Sequence, residues 1–151
     1  LAHLPAIVGF GGAAVFALMV LSQVLGAEGE SVSFVSPSVT WFSAGKFSVS
    51  ASITVDPLSA VMLATVTFVA TWIAIFSAGY MHGDDGFARF FAVMSLFVFS
   101  MCVLVLANNF LLLLAGWEGV GVCSYLLVGY YFAKPSAAAA ARKAFLVTRL
   151  G

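Results

Sequence analysis

Four long runs that are almost free of charge constrain the fold of this sequence more than any other feature. Residues 4–25 and 58–80 carry no charged side chain, while 87–106 carries Arg89 alone and 110–131 carries Glu118 alone. Each run is close to the roughly 20 residues that a helix rising 1.5 Å per residue needs to cross a bilayer. The rest of the composition agrees. With 63% hydrophobic and 8% charged residues, and a mean hydropathy of +1.13, the chain lacks the polar surface that a water-soluble domain requires. The expected fold class is all-α integral membrane, a multi-span transmembrane helix bundle with a small extramembrane β-hairpin.

Between the first two runs, residues 26–55 shift to Ser, Gly and β-branched residues, and Phe47-Ser48-Val49-Ser50-Ala51-Ser52-Ile53 alternates in part, as a strand does. This segment reads as an extramembrane loop containing the hairpin. Asp56-Pro57-Leu58-Ser59 is a helix start: Asp can accept from free amides of the first turn, and Pro at the first helical position gives up no needed donor. Met81-His82-Gly83-Asp84-Asp85-Gly86 is a polar turn bounded by glycines. Asn108-Asn109 breaks the next run and can cap the fourth helix, which Lys134-Pro135-Ser136 ends. A fifth apolar segment begins at about residue 142 and has not finished at Gly151. Because the sequence also opens at Leu1 rather than Met, it is expected to be one membrane domain, or part of one, from a longer chain.

Arg89, Lys134, Arg142 and Lys143 fall on one side of this topology, whereas the opposite connections offer only Lys46. The excess of cations makes the Lys134 loop and the N-terminus cytoplasmic and the 26–55 loop periplasmic, in a bacterial inner membrane. The first run lacks the basic start of a signal peptide and is rather long for one. Six basic against six acidic residues leave no field to attract nucleic acid, so lipid is the expected surround.

Glu118 is the residue most suspected of function. It lies eight residues into its run, about 12 Å along the helix and near mid-membrane. A carboxylate there costs about 2.5–3.5 kcal/mol on insertion scales, so such a group normally faces protein or water and often marks an ion path. Helical spacing puts Ala115, Gly121, Val122 and Tyr125 on its face, with Gly116 and Gly119 thinning the flanks, so that another helix can approach and bury it. Desolvation favours the protonated form of a buried acid and a nearby cation favours the ionised form, which is the basis of a proton relay. The competing reading is a neutral, hydrogen-bonded structural acid.

Arg149, inside the fifth segment, is the other costly charge, although its long side chain can reach the membrane surface. His3 and His82 fall at helix ends, poorly placed to ligate a haem from facing spans. Asp84 and Asp85 read as a solvated turn rather than a metal site. Gly9, Gly11 and Gly12 read as helix packing, and Cys102 and Cys123 as buried free thiols.

At Gly116-Trp117-Glu118-Gly119-Val120-Gly121-Val122-Cys123-Ser124-Tyr125-Leu126-Leu127-Val128-Gly129 the chain resembles the L-subunit (chain 5) family of bacterial NADH-quinone oxidoreductase, respiratory complex I. Asp56-Pro57-Leu58-Ser59, Gly79-Tyr80-Met81-His82-Gly83, Arg89-Phe90-Phe91-Ala92 and Lys143-Ala144-Phe145-Leu146-Val147-Thr148-Arg149 extend the similarity from about Val55 onward. The resemblance implies the N-terminal portion of an antiporter-like membrane-arm subunit that moves protons while NADH is oxidised by quinone elsewhere. It implies no metal or redox cofactor in this chain: FMN, iron–sulfur clusters and quinone are expected in other subunits. The implied partners are those subunits, above all neighbouring antiporter-like ones. Glu118 matches the family's half-channel glutamate, whose lysine partner lies on a later helix, and Arg149 matches a family arginine followed three positions later by an aspartate, a position past Gly151, with an ion-pair role implied for the arginine. Asn108 stands where the family often has Asp. The alternative family is the large subunit of multisubunit cation/proton antiporters, which shares the helix plan and the acid but lacks the Gly-Val-Gly-x-Cys run.

Overall fold

A computed structural model describes residues 1–26 and 34–151. In chain order its elements are α1 (His3–Gly26), β1 (Phe34–Val35), β2 (Val39–Ala44), β3 (Phe47–Ala51), β4 (Thr54–Val55), α2 (Pro57–Tyr80), α3 (Phe87–Leu106), α4 (Phe110–Val128) and α5 (Pro135–Leu150). The first four helices are long and apolar enough to cross a membrane. The fold is a helical membrane bundle with small antiparallel sheets at one end.

Helix α1 packs on α2, α3 packs on α4 and touches α2, and α5 lies along α4. What the helices bury is informative. On α2 the inward residues are Ala60, Ala64, Thr67, Ala70, Ala74 and Ser77, while Phe68, Trp72, Phe76 and Tyr80 point outward. Small residues inside and large apolar residues outside are the arrangement lipid selects, since tails solvate aromatic and aliphatic side chains and close helix approach supplies the packing. Several hydroxyls within the spans bond back to their own helices, as Thr67 does to the Leu63 carbonyl at 2.7 Å and Ser95 to that of Phe91 at 2.8 Å, while Ser59 of α2 donates across to the Val105 carbonyl of α3 at 3.2 Å. Phe10, Ala70, Ala74, Phe91, Met94 and Val98 form the central cluster where α1, α2 and α3 meet.

Asp56 caps α2 by accepting from the Ser59 amide at 2.7 Å, with Pro57 next in line. Asn109 does the same for α4 through the Leu112 amide, also at 2.7 Å. The hairpin is β2–β3, turning at Gly45, whose φ of 62° suits a residue without a side chain. A second short pair, β1–β4, continues the ribbon towards α2, and Ile53 bridges to Ala107. Residues 27–33 of the expected loop lie outside the described residues.

Two expected boundaries are corrected. Helix α4 ends at Val128 rather than 131: the Gly129 amide bonds to the Tyr125 carbonyl, and the chain then turns through Tyr130 and Tyr131. Helix α5 begins at Pro135, not near 142. Proline supplies the first turn, and the alanine run that follows is strongly helix-forming although not strongly apolar.

Candidate ion-pair site

The middle of α4 brings Glu118 and Arg149 together. One Nη of Arg149 lies 3.0 Å from a Glu118 carboxylate oxygen, and the same nitrogen lies 3.4 Å from the Glu118 carbonyl oxygen. Arg149 comes from the last turn of α5, so the α4–α5 pairing determines whether the contact exists. Phe145, one turn earlier on α5, lies beneath the guanidinium with its ring centroid 4.7 Å from Cζ, close enough for a cation–π contact. Tyr125 of α4 meets Phe145 edge-on at 5.4 Å. The cation is held by a carboxylate, a carbonyl oxygen and an aromatic face.

The glycines around Glu118 divide between two neighbours. A methyl built on Gly116 would meet Leu104 of α3, and one on Gly119 would meet Ser100 of α3, so these two let α3 and α4 approach closely. The space over Gly121 is filled instead by the Arg149 guanidinium. Cys123 is fully buried and, like Cys102, a free thiol.

Among the described residues, the neighbouring helices enclose Glu118 only in part. Its side chain is 48% exposed among the described residues, against 22% for Arg149. The reason is angular: α3 covers the side of α4 bearing Gly116, Gly119 and Cys123, and α5 reaches the acid's own side only through one arginine. Among the described residues, Glu118 is thus paired with Arg149 on one flank and meets no helix on the other.

A second polar cluster lies between the α2–α3 turn and the α4–α5 connection. Asp84 accepts from the Tyr130 hydroxyl at 3.0 Å, the Tyr131 hydroxyl at 3.1 Å and the Gly86 amide at 3.2 Å. Arg89 donates to the Tyr130 carbonyl at 2.7 Å and lies over the rings of Tyr130 and Phe132, each centroid 5.1 Å from Cζ. The Lys134 ammonium lies 4.9 Å from the Tyr131 ring centroid. The Gly86 amide, chiefly, holds the Asp84 carboxyl below its ordinary value, with Tyr130, Tyr131 and Arg89 adding to the effect against some desolvation. Reading Asp84 as a merely solvated turn missed this clasp. The available signal was the pair of tyrosines placed just beyond a helix-ending glycine.

His3 packs edge-on to Phe87, with ring centroids 5.6 Å apart, and His82 lies in the α2–α3 turn. Asn108 accepts from the Thr54 hydroxyl at 2.7 Å and donates to the Ser52 hydroxyl, tying the sheet region to the α3–α4 connection.

Comparison with known proteins points the same way along the chain. Residues 41–91 match the family model for the chain 5 N-terminus of NADH-ubiquinone oxidoreductase (complex I), and residues 107–151 match the transmembrane model shared by NADH:quinone oxidoreductase and Mrp antiporters. NADH-quinone oxidoreductase subunit L of Escherichia coli K12 is 46% identical over 99% of the chain, and that of Neisseria meningitidis Z2491 is 42% identical over the same share. Subunit L of Mycobacterium tuberculosis H37Rv is 43% identical over 88% of it. The chain spans 24%, 22% and 21% of the lengths of these relatives, respectively.

Proposed function

Because the chain belongs to the subunit L, or chain 5, family of NADH-quinone oxidoreductase, we propose that it contributes to proton translocation through the membrane arm of that complex, with Glu118 carrying the proton. The observation that carries this reading is the 3.0 Å pair between Glu118 and Arg149 in the middle of an apolar helix. A charge pair at the protein surface in water contributes only about 0.2–1 kcal/mol, whereas in a water-poor surround the two charges attract more strongly and either one left unpaired is costly. Protonating Glu118 removes one partner and frees the guanidinium. Deprotonation restores the pair, so the position of Arg149 and the charge of Glu118 are linked in both directions.

In this reading Arg149 sets when Glu118 releases its proton, and a lysine on a later helix of the complete subunit offers the competing cation. Oxidation of NADH by quinone takes place in other subunits, which hold the FMN and iron–sulfur clusters; this chain holds the ion path. Neighbouring antiporter-like subunits are its partners in a bacterial inner membrane, with the N-terminus and the Lys134 connection on the cytoplasmic side. The transmembrane model shared with Mrp antiporters supports ion transport as the common activity, while the chain 5 match over residues 41–91 favours the complex over a free-standing antiporter.

The test is Glu118→Gln in the complete complex, assembled as judged by an NADH-stained native gel. Acidification of sealed inverted vesicles is followed beside NADH oxidation. Loss of acidification per NADH oxidised is the expected result, with partial retention in Glu118→Asp. Normal acidification in Glu118→Gln would rule out the relay.

A further inference from the structure

We propose that Gly121 is a positioning residue of this site, its missing side chain being the slot through which the Arg149 guanidinium reaches Glu118. The inference rests on the proton-transport reading for its consequence, but not for its geometry. Three glycines lie inside α4, and their empty sides are used differently. Gly116 and Gly119 face Leu104 and Ser100 of α3. At Gly121, alone of the three, the atoms occupying the space are those of a cation: a Cβ would overlap one guanidinium nitrogen outright and stand 2.9 Å from the other and 3.0 Å from Cζ.

Gly121 lies three residues after Glu118, so both look out from one side of the helix. Arg149 must cross the first position to bond at the second. Phe145 supports the guanidinium from its own helix, and Tyr125, one turn beyond Gly121, packs against Phe145. The cation is therefore confined between an aromatic ring and bare backbone. Any side chain at Gly121 displaces the flexible end of Arg149 rather than the backbone of α4, because the guanidinium is the part that can move. Glu118 then keeps its place and loses its partner. The residue acts on the acid only through the arginine.

That dependence gives the test. In the complete complex, Gly121→Ala is compared with Arg149→Gln and with the double variant, reading acidification per NADH oxidised in inverted vesicles. Each single variant is expected to lower the ratio, and to the same extent, because each removes the Arg149 contact from Glu118. The double variant is expected to lower it no further than Arg149→Gln does. Where Glu118→Gln itself loses acidification, losses that multiply in the double variant, or a normal ratio in Gly121→Ala, overturn the slot, since a role in helix packing does not depend on Arg149. Should Gly121→Ala fail to assemble, adding Arg149→Gln is expected to restore assembly by removing the group that collides, and continued failure overturns the proposal. An electron-cryomicroscopy map of Gly121→Ala separates this inference from the function it serves. Arg149 still seated on Glu118 refutes the slot whatever the pumping rate, whereas normal pumping by Glu118→Gln refutes the relay and leaves the slot standing.

Discussion

Gly116 of α4 lies against the backbone of Leu104 of α3, so close that a methyl group on Gly116 would come within 2.8 Å of the Leu104 nitrogen and 2.9 Å of its Cα. Backbone cannot rotate away as a side chain can, so the two helices must separate. Gly116→Ala is expected to destabilise the α3–α4 pair by about 1–3 kcal/mol, the usual cost of overpacking a fitted contact. Gly119→Ala meets the Ser100 hydroxyl, which can turn, and the Ser100 Cβ at 3.0 Å, and should cost less; Gly9→Ala meets nothing within 4 Å among the described residues and should be neutral. Thermal inactivation midpoints of the detergent-solubilised complex check the order Gly116, Gly119, Gly9. Equal midpoints for Gly116→Ala and Gly9→Ala would refute the steric account.

The α3–α4 connection offers a second expectation, from its two asparagines. Asn109 caps α4 through the Leu112 amide, and its amide group donates to the Ser50 carbonyl on β3, so Asn109→Ala loses a cap and a tie together. The cap alone is worth about 0.5–2 kcal/mol. Asn108 accepts from Thr54 and donates to Ser52. Asn108→Asp keeps the acceptor, and the Ser52 hydroxyl can reverse to donate, so this variant should hold the sheet region in place, whereas Asn108→Leu should release it. Hydrogen exchange of peptides covering residues 47–55 distinguishes these outcomes: fast exchange in Asn108→Asp would show that the native donor direction is required.

How much of this was legible beforehand depended on the range of each signal. Runs without charge gave the first four helices because a bilayer imposes length and apolarity on each helix separately, and Asp56-Pro57 and Asn109 gave their starts because a cap is read within three residues. The end of α4 was harder to place. Tyr130, Tyr131 and Phe132 prolong an apolar run that backbone geometry ends at Gly129, and the tyrosines are spent on Asp84, 46 residues away for Tyr130. The start of α5 was missed because the alanine run is a good helix but a poor membrane signal. Mid-span placement singled out Glu118, yet which side of α4 each neighbouring helix covers is an angle that no local spacing fixes. Gly121 looked like general small-residue packing until Arg149, 28 positions on, was seen in its space.

The clasp at Asp84 should respond to pH at both ends of the scale, and the signs follow from its hydrogen bonds. Donation by the Gly86 amide, then by Tyr130 and Tyr131, holds the Asp84 carboxyl below its ordinary 3.8. A group lowered in the folded state contributes stability that is present above its unfolded value and is lost as pH falls through the folded one. Desolvation, then the bond to Asp84, raises the Tyr130 hydroxyl above 10.0, and the bond to Asp84 is the main cause for Tyr131. Their contributions are present below pH 10 and are lost as pH rises through the raised values. Exchange protection of a peptide covering residues 129–136, corrected for intrinsic rates, should therefore hold steady from about pH 4 to 10 and fall on either side. Asp84→Asn keeps one acceptor oxygen but no charge, so protection should be lower throughout and the acid step should vanish. Tyr131→Phe should remove one of the two tyrosine bonds and keep the acid step at reduced amplitude. An acid step of full size in Asp84→Asn would assign the transition to another carboxylate and refute the clasp as its origin.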